Sequence, residues 1–277
     1  MSGGSNVIPV GEANAREALH AAIRQACATA NVAPDQIARV CVGAAGAARP
    51  DIAAKIRSIL AELTPAAVEV VGDMVIALVA AFGSSPGVLA IAGTGSIVWG
   101  RDVTGRTARA GGWGFAISDE GSGHWIGRRA ISAILQAHDE GQQTELTAMV
   151  FHLWNLTTLD ALVQKANSLP PSEFPRLFPA VLRAAEQSDP TARKLLADAA
   201  NHLANLTAMV IRRLAAEAPY VPVAMTGSVF RKSADVRRVF YNALQASFPG
   251  IEVRANLADP VEGALALARK AGVTNPG

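Results

Sequence analysis

Between positions 14 and 101 the apolar residues switch repeatedly between a helical period and short unbroken runs. Positions 14–30 place Ala15, Leu19, Ala22, Ile23 and Ala26 on one stripe, the spacing of an amphipathic helix. Positions 39–42 are a short β-branched run ending at Gly43 and Gly46, as a buried strand ends in a turn. Helical spacing returns over 51–63 through Ile52, Ile56, Ile59, Leu60 and Leu63. A second strand over 68–71 closes at Gly72 and Asp73, and 74–82 is again helical. Strands alternating with helices imply parallel pairing through crossover helices, an α/β fold.

After Gly83-Ser84-Ser85-Pro86-Gly87, the richest turn signal between two elements, the texture changes. Positions 88–92 and 97–101 read as strands around Gly93-Thr94-Gly95-Ser96, and Thr104-Gly105 as a hairpin turn before a strand over 107–110. The pattern is then helical from 122 to 138 and largely so to 218, most clearly over 191–217. There Leu195, Ala199, Leu203, Leu206, Val210 and Leu214 recur at steps of three and four. Strands over 221–225 and 251–254 and helices over 234–246 and 261–271 complete the expectation. A small lobe over 1–84, joined by the last helix, and a larger lobe over 85–277 are expected.

Composition excludes several functions. Half of the 277 residues are apolar, enough for a sizeable core. A net charge of +2, with no run of Lys or Arg longer than two, argues against nucleic-acid and membrane-surface partners. The longest apolar stretch, 74–82, is far short of the roughly 20 residues that span a bilayer. Cys27 and Cys41 show no metal-ligand spacing, and positions 1–10 carry neither a basic region nor an apolar core. A cytoplasmic protein is expected.

Two glycine-rich passages carry the chemistry. In Gly93-Thr94-Gly95-Ser96, two glycines let backbone amides approach phosphate oxygens, and the flanking hydroxyls add donors. It is neither a Walker A loop, lacking Gly-Lys-Ser/Thr, nor a dinucleotide fingerprint, lacking a third glycine; a plain tight hairpin explains the same four residues. Gly111-Gly112-Trp113-Gly114 is followed by Ser118-Asp119-Glu120-Gly121-Ser122-Gly123 and then a helix. Capping by Asp119 or Ser122 accounts for part of this, with Asp119 and Glu120 expected in the helix's first turn. It leaves Trp113 unexplained, and an aromatic face beside open backbone suits a pyranose ring.

In this order and spacing these blocks, with Gly4-Ser5-Asn6, Gly72-Asp73 and Thr226-Gly227-Ser228-Val229, resemble the N-acetylglucosamine kinases. More broadly they are similar to the BadF/BadG/BcrA/BcrD-type ATPases. The resemblance implies two RNase H-like lobes of the actin/hexokinase-like fold, ATP with Mg²⁺, an amino-sugar substrate phosphorylated at O6, and room for a homodimer. It implies that Gly93, Thr94, Gly95 and Ser96 form the second phosphate loop, and that Gly227 and Ser228 belong to the adenosine site. Asn6, Gly111, Gly112, Trp113 and Asp119 would line the sugar pocket, with Asp73 as the base that takes the sugar hydroxyl's proton. Without the resemblance, the alternative for Asp73 is the N-cap of the helix that begins at Met74.

Members of the family begin with a glycine-rich hairpin whose acidic residue holds phosphates and magnesium. Here no Asp or Glu precedes Glu12, so the first lobe is expected to be incomplete and no metal ligand is assigned. Three alternatives stay open: a glucosamine or N-acetylmuramate kinase, a sugar- and nucleotide-binding relative with impaired catalysis, and a radical-enzyme activator with an iron–sulfur cluster. The last is disfavoured by thiols expected in a helix (Cys27) and a strand (Cys41).

Overall fold

A computed structural model of the chain describes residues 11–47, 49–214 and 221–270. It divides into two compact units, one from Met1–Ser84 with Ala258–Gly277, the other from Ser85–Leu257. Asn6, and the predicted helix ends beyond 214 and 270, lie outside the described residues.

In the first unit, α1 (Glu12–Ala30), β1 (Arg39–Ala44), α2 (Pro50–Ala61), β2 (Ala67–Gly72) and α3 (Asp73–Phe82) follow one another. The two strands pair in parallel from Arg39 opposite Ala67 to Ala44 opposite Gly72. The connection needs a crossover, which α2 supplies. Its buried stripe of Ile52, Ile56, Ile59 and Leu60 meets Ala15, Leu19 and Val70 in one core.

The second unit is built on a sheet of β3 (Gly87–Ala92), β4 (Ser96–Arg101), β5 (Thr107–Gly111) and β6 (Val223–Thr226). Its order is β5-β4-β3-β6: antiparallel from β3 to β5, parallel between β3 and β6. Central β3 is apolar throughout because both faces are covered, with Val88, Leu89, Ala90 and Ala92 fully buried. Between β5 and β6 the chain forms α4 (Gly123–Asp139), α5 (Glu145–Trp154), α6 (Leu159–Ser168), α7 (Phe178–Glu186) and α8 (Pro190–Leu214). The stripe of α8 buries Leu195, Ala199, Leu203, Val210 and Leu214, with Leu206 packed at its margin. After β6 come α9 (Ser228–Lys232) and α10 (Ala234–Ser247). The final helix, α11 (Pro260–Lys270), returns to the first unit, where Gly263 lies against the backbone of Ile76 in α3.

The segment expected as a strand over 251–254 is not one. Only Val253 bridges Val223, through the Val223 amide to Glu252 oxygen (2.8 Å) and the Arg254 amide to Val223 oxygen (2.8 Å). The chain bends at Ala255 and Asn256, so the ladder stops after one residue. No single helix among the described residues is long and apolar enough to cross a membrane.

Candidate active site

The turn Gly93-Thr94-Gly95 links β3 to β4, and its carbonyls point into the unit. The Gly123 amide donates to Gly93 oxygen (2.8 Å) and the His124 amide to Thr94 oxygen (3.1 Å). The first amides of α4, which have no partner within the helix, thus satisfy the turn's acceptors. The Thr94 and Gly95 amides keep no acceptor among the described residues, and the Thr94 side chain is exposed. The Ser96 hydroxyl, expected to face a phosphate, instead donates to the Glu120 carbonyl (2.8 Å) and is buried.

Gly227 closes the same end of the sheet. Its backbone, at φ 104° and ψ 166°, lies so close to the Ala92 carbonyl that a Cβ would overlap it. That dihedral region is essentially reserved to glycine. Ser228 therefore starts α9 beside the last residue of β3, next to the Gly93-Thr94-Gly95 turn.

Asp119 connects the turn to the other glycine passage. It is nearly buried, holds a left-handed backbone (φ 68°), and accepts the Ser122 amide on its carbonyl (3.0 Å). Its carboxylate lies against Gly95, 2.9 Å from where a Cβ would stand. Burial pushes its pKa up, opposed by the Ser96 amide, reinforced by the Glu120 charge and opposed again by the Gly114 amide. Asp119 and Glu120 do not occupy the helix's first turn as expected. The helix begins at Gly123, and Ser122 caps it by accepting the Trp125 amide (3.0 Å). Ser122→Ala is expected to destabilise the second unit by about 1 kcal/mol in urea titration, the usual contribution of such a cap.

Gly111 and Gly112 both sit at φ 70°, turning the chain away from β4 directly after the Ile97–Gly111 pair. A Cβ on Gly112 would come 2.8 Å from Ile97. Trp113 emerges 66% exposed. Gly93 to Ser96, Gly111 to Trp113, Asp119, Gly227 and Ser228 therefore all belong to the second unit. Asp73 belongs to the first.

Asp73 is the first residue of α3, directly after β2, and its Oδ1 accepts the Met74 amide (2.9 Å). It is not the N-cap that the sequence offered as the alternative: Gly72 holds that position, with no side-chain cap bond, and β2 ends there too. Burial raises the Asp73 pKa, partly offset by the Met74 amide and its own.

Arg109, which stacks on Trp113, was missed from sequence. His124 is a core histidine, buried between Phe115 and Phe174, its ring centroid 5.2 and 5.4 Å from theirs. Burial, with Arg128 nearby, lowers the pKa of His124. The signal for Arg109 was a lone long cation in a run of small residues, Thr107-Ala108-Arg109-Ala110-Gly111. Cys27 is buried in α1, and burial followed by Glu69 raises the Cys41 thiol in β1, the opposite of an exposed thiolate ligand.

The fold is that of the actin/hexokinase-like ATPases, the class of its structural neighbours. A provisional N-acetylglucosamine kinase of Chromobacterium violaceum superposes with a TM-score of 0.78 at 26% identity, over 96% of this chain and 88% of that one. A ROK-family glucokinase of Streptomyces griseus, in complex with glucose and AMPPNP, shares the fold at 16% identity (TM-score 0.59, 92% of this chain and 88% of that one). The chain belongs to the BadF/BadG/BcrA/BcrD ATPase family, whose profile matches residues 1–268. Among curated relatives, the N-acetylmuramic acid/N-acetylglucosamine kinase of Clostridium acetobutylicum is 30% identical over 85% of this chain and 78% of that protein. The N-acetyl-D-glucosamine kinase of Dictyostelium discoideum is 28% identical over 84% of this chain and 75% of that protein.

Proposed function

We propose that this protein transfers the γ-phosphoryl group of ATP to the O6 hydroxyl of an amino sugar, N-acetylglucosamine first. The observation carrying the reading is the gathering, at one end of the second unit's sheet, of a glycine-framed tryptophan and a turn whose Thr94 and Gly95 amides have no acceptor among the described residues. The names of the curated relatives support the sugar class, and N-acetylmuramate is the second candidate because one of them acts under both names.

In this mechanism the Thr94 and Gly95 amides and the Thr94 hydroxyl hold phosphate oxygens, while Gly227 and Ser228 flank the adenosine. Gly111, Gly112 and Trp113 bind the sugar ring, with Asp119 ordering the segment between sugar and phosphate. The Asp73 carboxylate accepts the O6 proton as the O6–phosphorus bond forms and the bond to the β-phosphate oxygen breaks, releasing ADP. Little covalent chemistry is asked of the protein, so positioning and charge dominate. Among the described residues no group of three or more His, Cys, Asp or Glu side chains could hold a metal. Mg²⁺ would arrive on the nucleotide, as it commonly does in kinases, and supply charge neutralisation at the phosphates. The cytoplasm, where ATP is available, is the proposed compartment.

The test is ADP release from the full-length protein with ATP, Mg²⁺ and a panel of N-acetylglucosamine, glucosamine, N-acetylmuramate and glucose. Sugar-dependent release strongest with an N-acetylated sugar is expected. Release independent of every sugar would remove the kinase reading, and preference for glucose would remove the amino-sugar reading.

A further inference from the structure

The segment that leaves β5 turns sharply at the edge of the sheet. Strand β5 is the edge of its sheet, its pairing with β4 ends at Gly111, and the chain then passes through two left-handed glycines to an exposed indole. Beside Trp113 and Ile117 lies a cavity of about 520 Å³, walled also by Glu120, His202 and Asn205.

One side chain spans this turn. The Arg109 guanidinium carbon stands 3.9 Å from the centroid of the Trp113 ring, a cation–π stack. Its Nη2 lies 3.3 Å from Gly111 oxygen and 3.4 Å from Gly112 oxygen. Three consecutive residues thus contact one planar cation. Its base is fixed in turn, since Arg213 of α8 donates to the Arg109 carbonyl (2.8 Å).

The arrangement carries a penalty. Arg109 Nε is buried with no acceptor among the described residues, and a buried donor left unpaired lowers stability. Methionine, of similar length, would remove that unpaired donor but could not supply the stack or the two carbonyl contacts. Lysine could not replace it either, having no flat face to lay on the indole.

We propose that Arg109 is a positioning residue for sugar binding: it latches Trp113 and the Gly111–Gly112 backbone in one arrangement and so sets sugar affinity without taking part in phosphoryl transfer. The inference rests on the assignment of Gly111 to Trp113 to the sugar pocket.

Arg109→Met and Arg109→Lys in the full-length protein test it. Both are expected to raise the sugar KM about tenfold, the size of a stacked cation lost, with the ATP KM within about twofold and the Tm of the methionine variant unchanged or higher. An unchanged sugar KM overturns the proposal, and so does a parallel rise of both KM values with a lowered Tm, the mark of a purely structural role. A measurement without substrate separates this from a failure of the kinase reading. Acrylamide quenching of Trp113, taken as the difference between each protein and its Trp113→Phe counterpart, should increase in Arg109→Met. Equal quenching overturns the latch even if no sugar is ever turned over.

Discussion

Asp73→Asn is expected to remove sugar-dependent ADP release almost completely while making the protein more stable near neutral pH. The loss follows from the proposed role, since a positioned general base contributes roughly 10²–10⁴-fold and asparagine cannot accept the proton. The gain follows from burial. Because burial raises the Asp73 pKa, the folded protein disfavours its charged form. For a carboxylate raised in the folded state, the native protein binds the proton more readily than the unfolded chain. Its stabilising contribution is therefore greatest below the unfolded pKa and is lost as pH rises through the folded one. Asparagine is neutral at every pH and keeps the shape, so Tm at pH 7 should rise in the variant, and the difference from wild type should vanish in acid. The same shift predicts that kcat/KM falls on the acid side at a pH above that of an ordinary aspartate. Undiminished turnover in Asp73→Asn would remove Asp73 from the mechanism; a lowered Tm would contradict the burial argument.

The second large effect is expected from Gly227→Ala. The residue holds a dihedral pair that L side chains avoid, and its Cα faces the Ala92 carbonyl without space for a methyl group. Strain of this kind costs about 1–3 kcal/mol before the clash is counted. At roughly 2–4 °C per kcal/mol for a unit of this size, Tm should fall by about 5–10 °C. Relief requires moving the start of α9 away from the end of β3, where the phosphate turn begins. Displacements of about 1 Å in a binding site can cost as much as 100-fold, so calorimetric affinity for a non-hydrolysable ATP analogue should drop at least tenfold. A lower Tm with unaltered nucleotide affinity would take Gly227 and Ser228 out of the adenosine site and leave them a structural corner.

Much of this architecture is visible in the sequence because its causes are local. The stripe Ile52, Ile56, Ile59, Leu60 follows from helical geometry, and the unbroken Val88-Leu89-Ala90-Ile91-Ala92 from burial on both faces. The failures are equally physical. Position 119 carries a carboxylate where a cap would be useful, yet the cap is Ser122. A left-handed residue at 119 turns its side chain back toward Gly95, and no periodicity records a backbone dihedral. The β-branched texture at 251–254 suits a strand, but the chain bends away at Ala255 and Asn256, so only Val253 bridges Val223.

By itself the amino-acid order determined the alternation of strands and helices, the two glycine passages and the family they resemble, since spacing and turn chemistry act over a few residues. Packing between distant segments decided the rest. It alone placed the amides of α4 under the phosphate turn, Asp119 against Gly95 and α11 beside α3. It alone set the Arg109 guanidinium over Trp113. Such contacts depend on which surfaces must leave water together, a property of the folded chain that no short window of sequence contains.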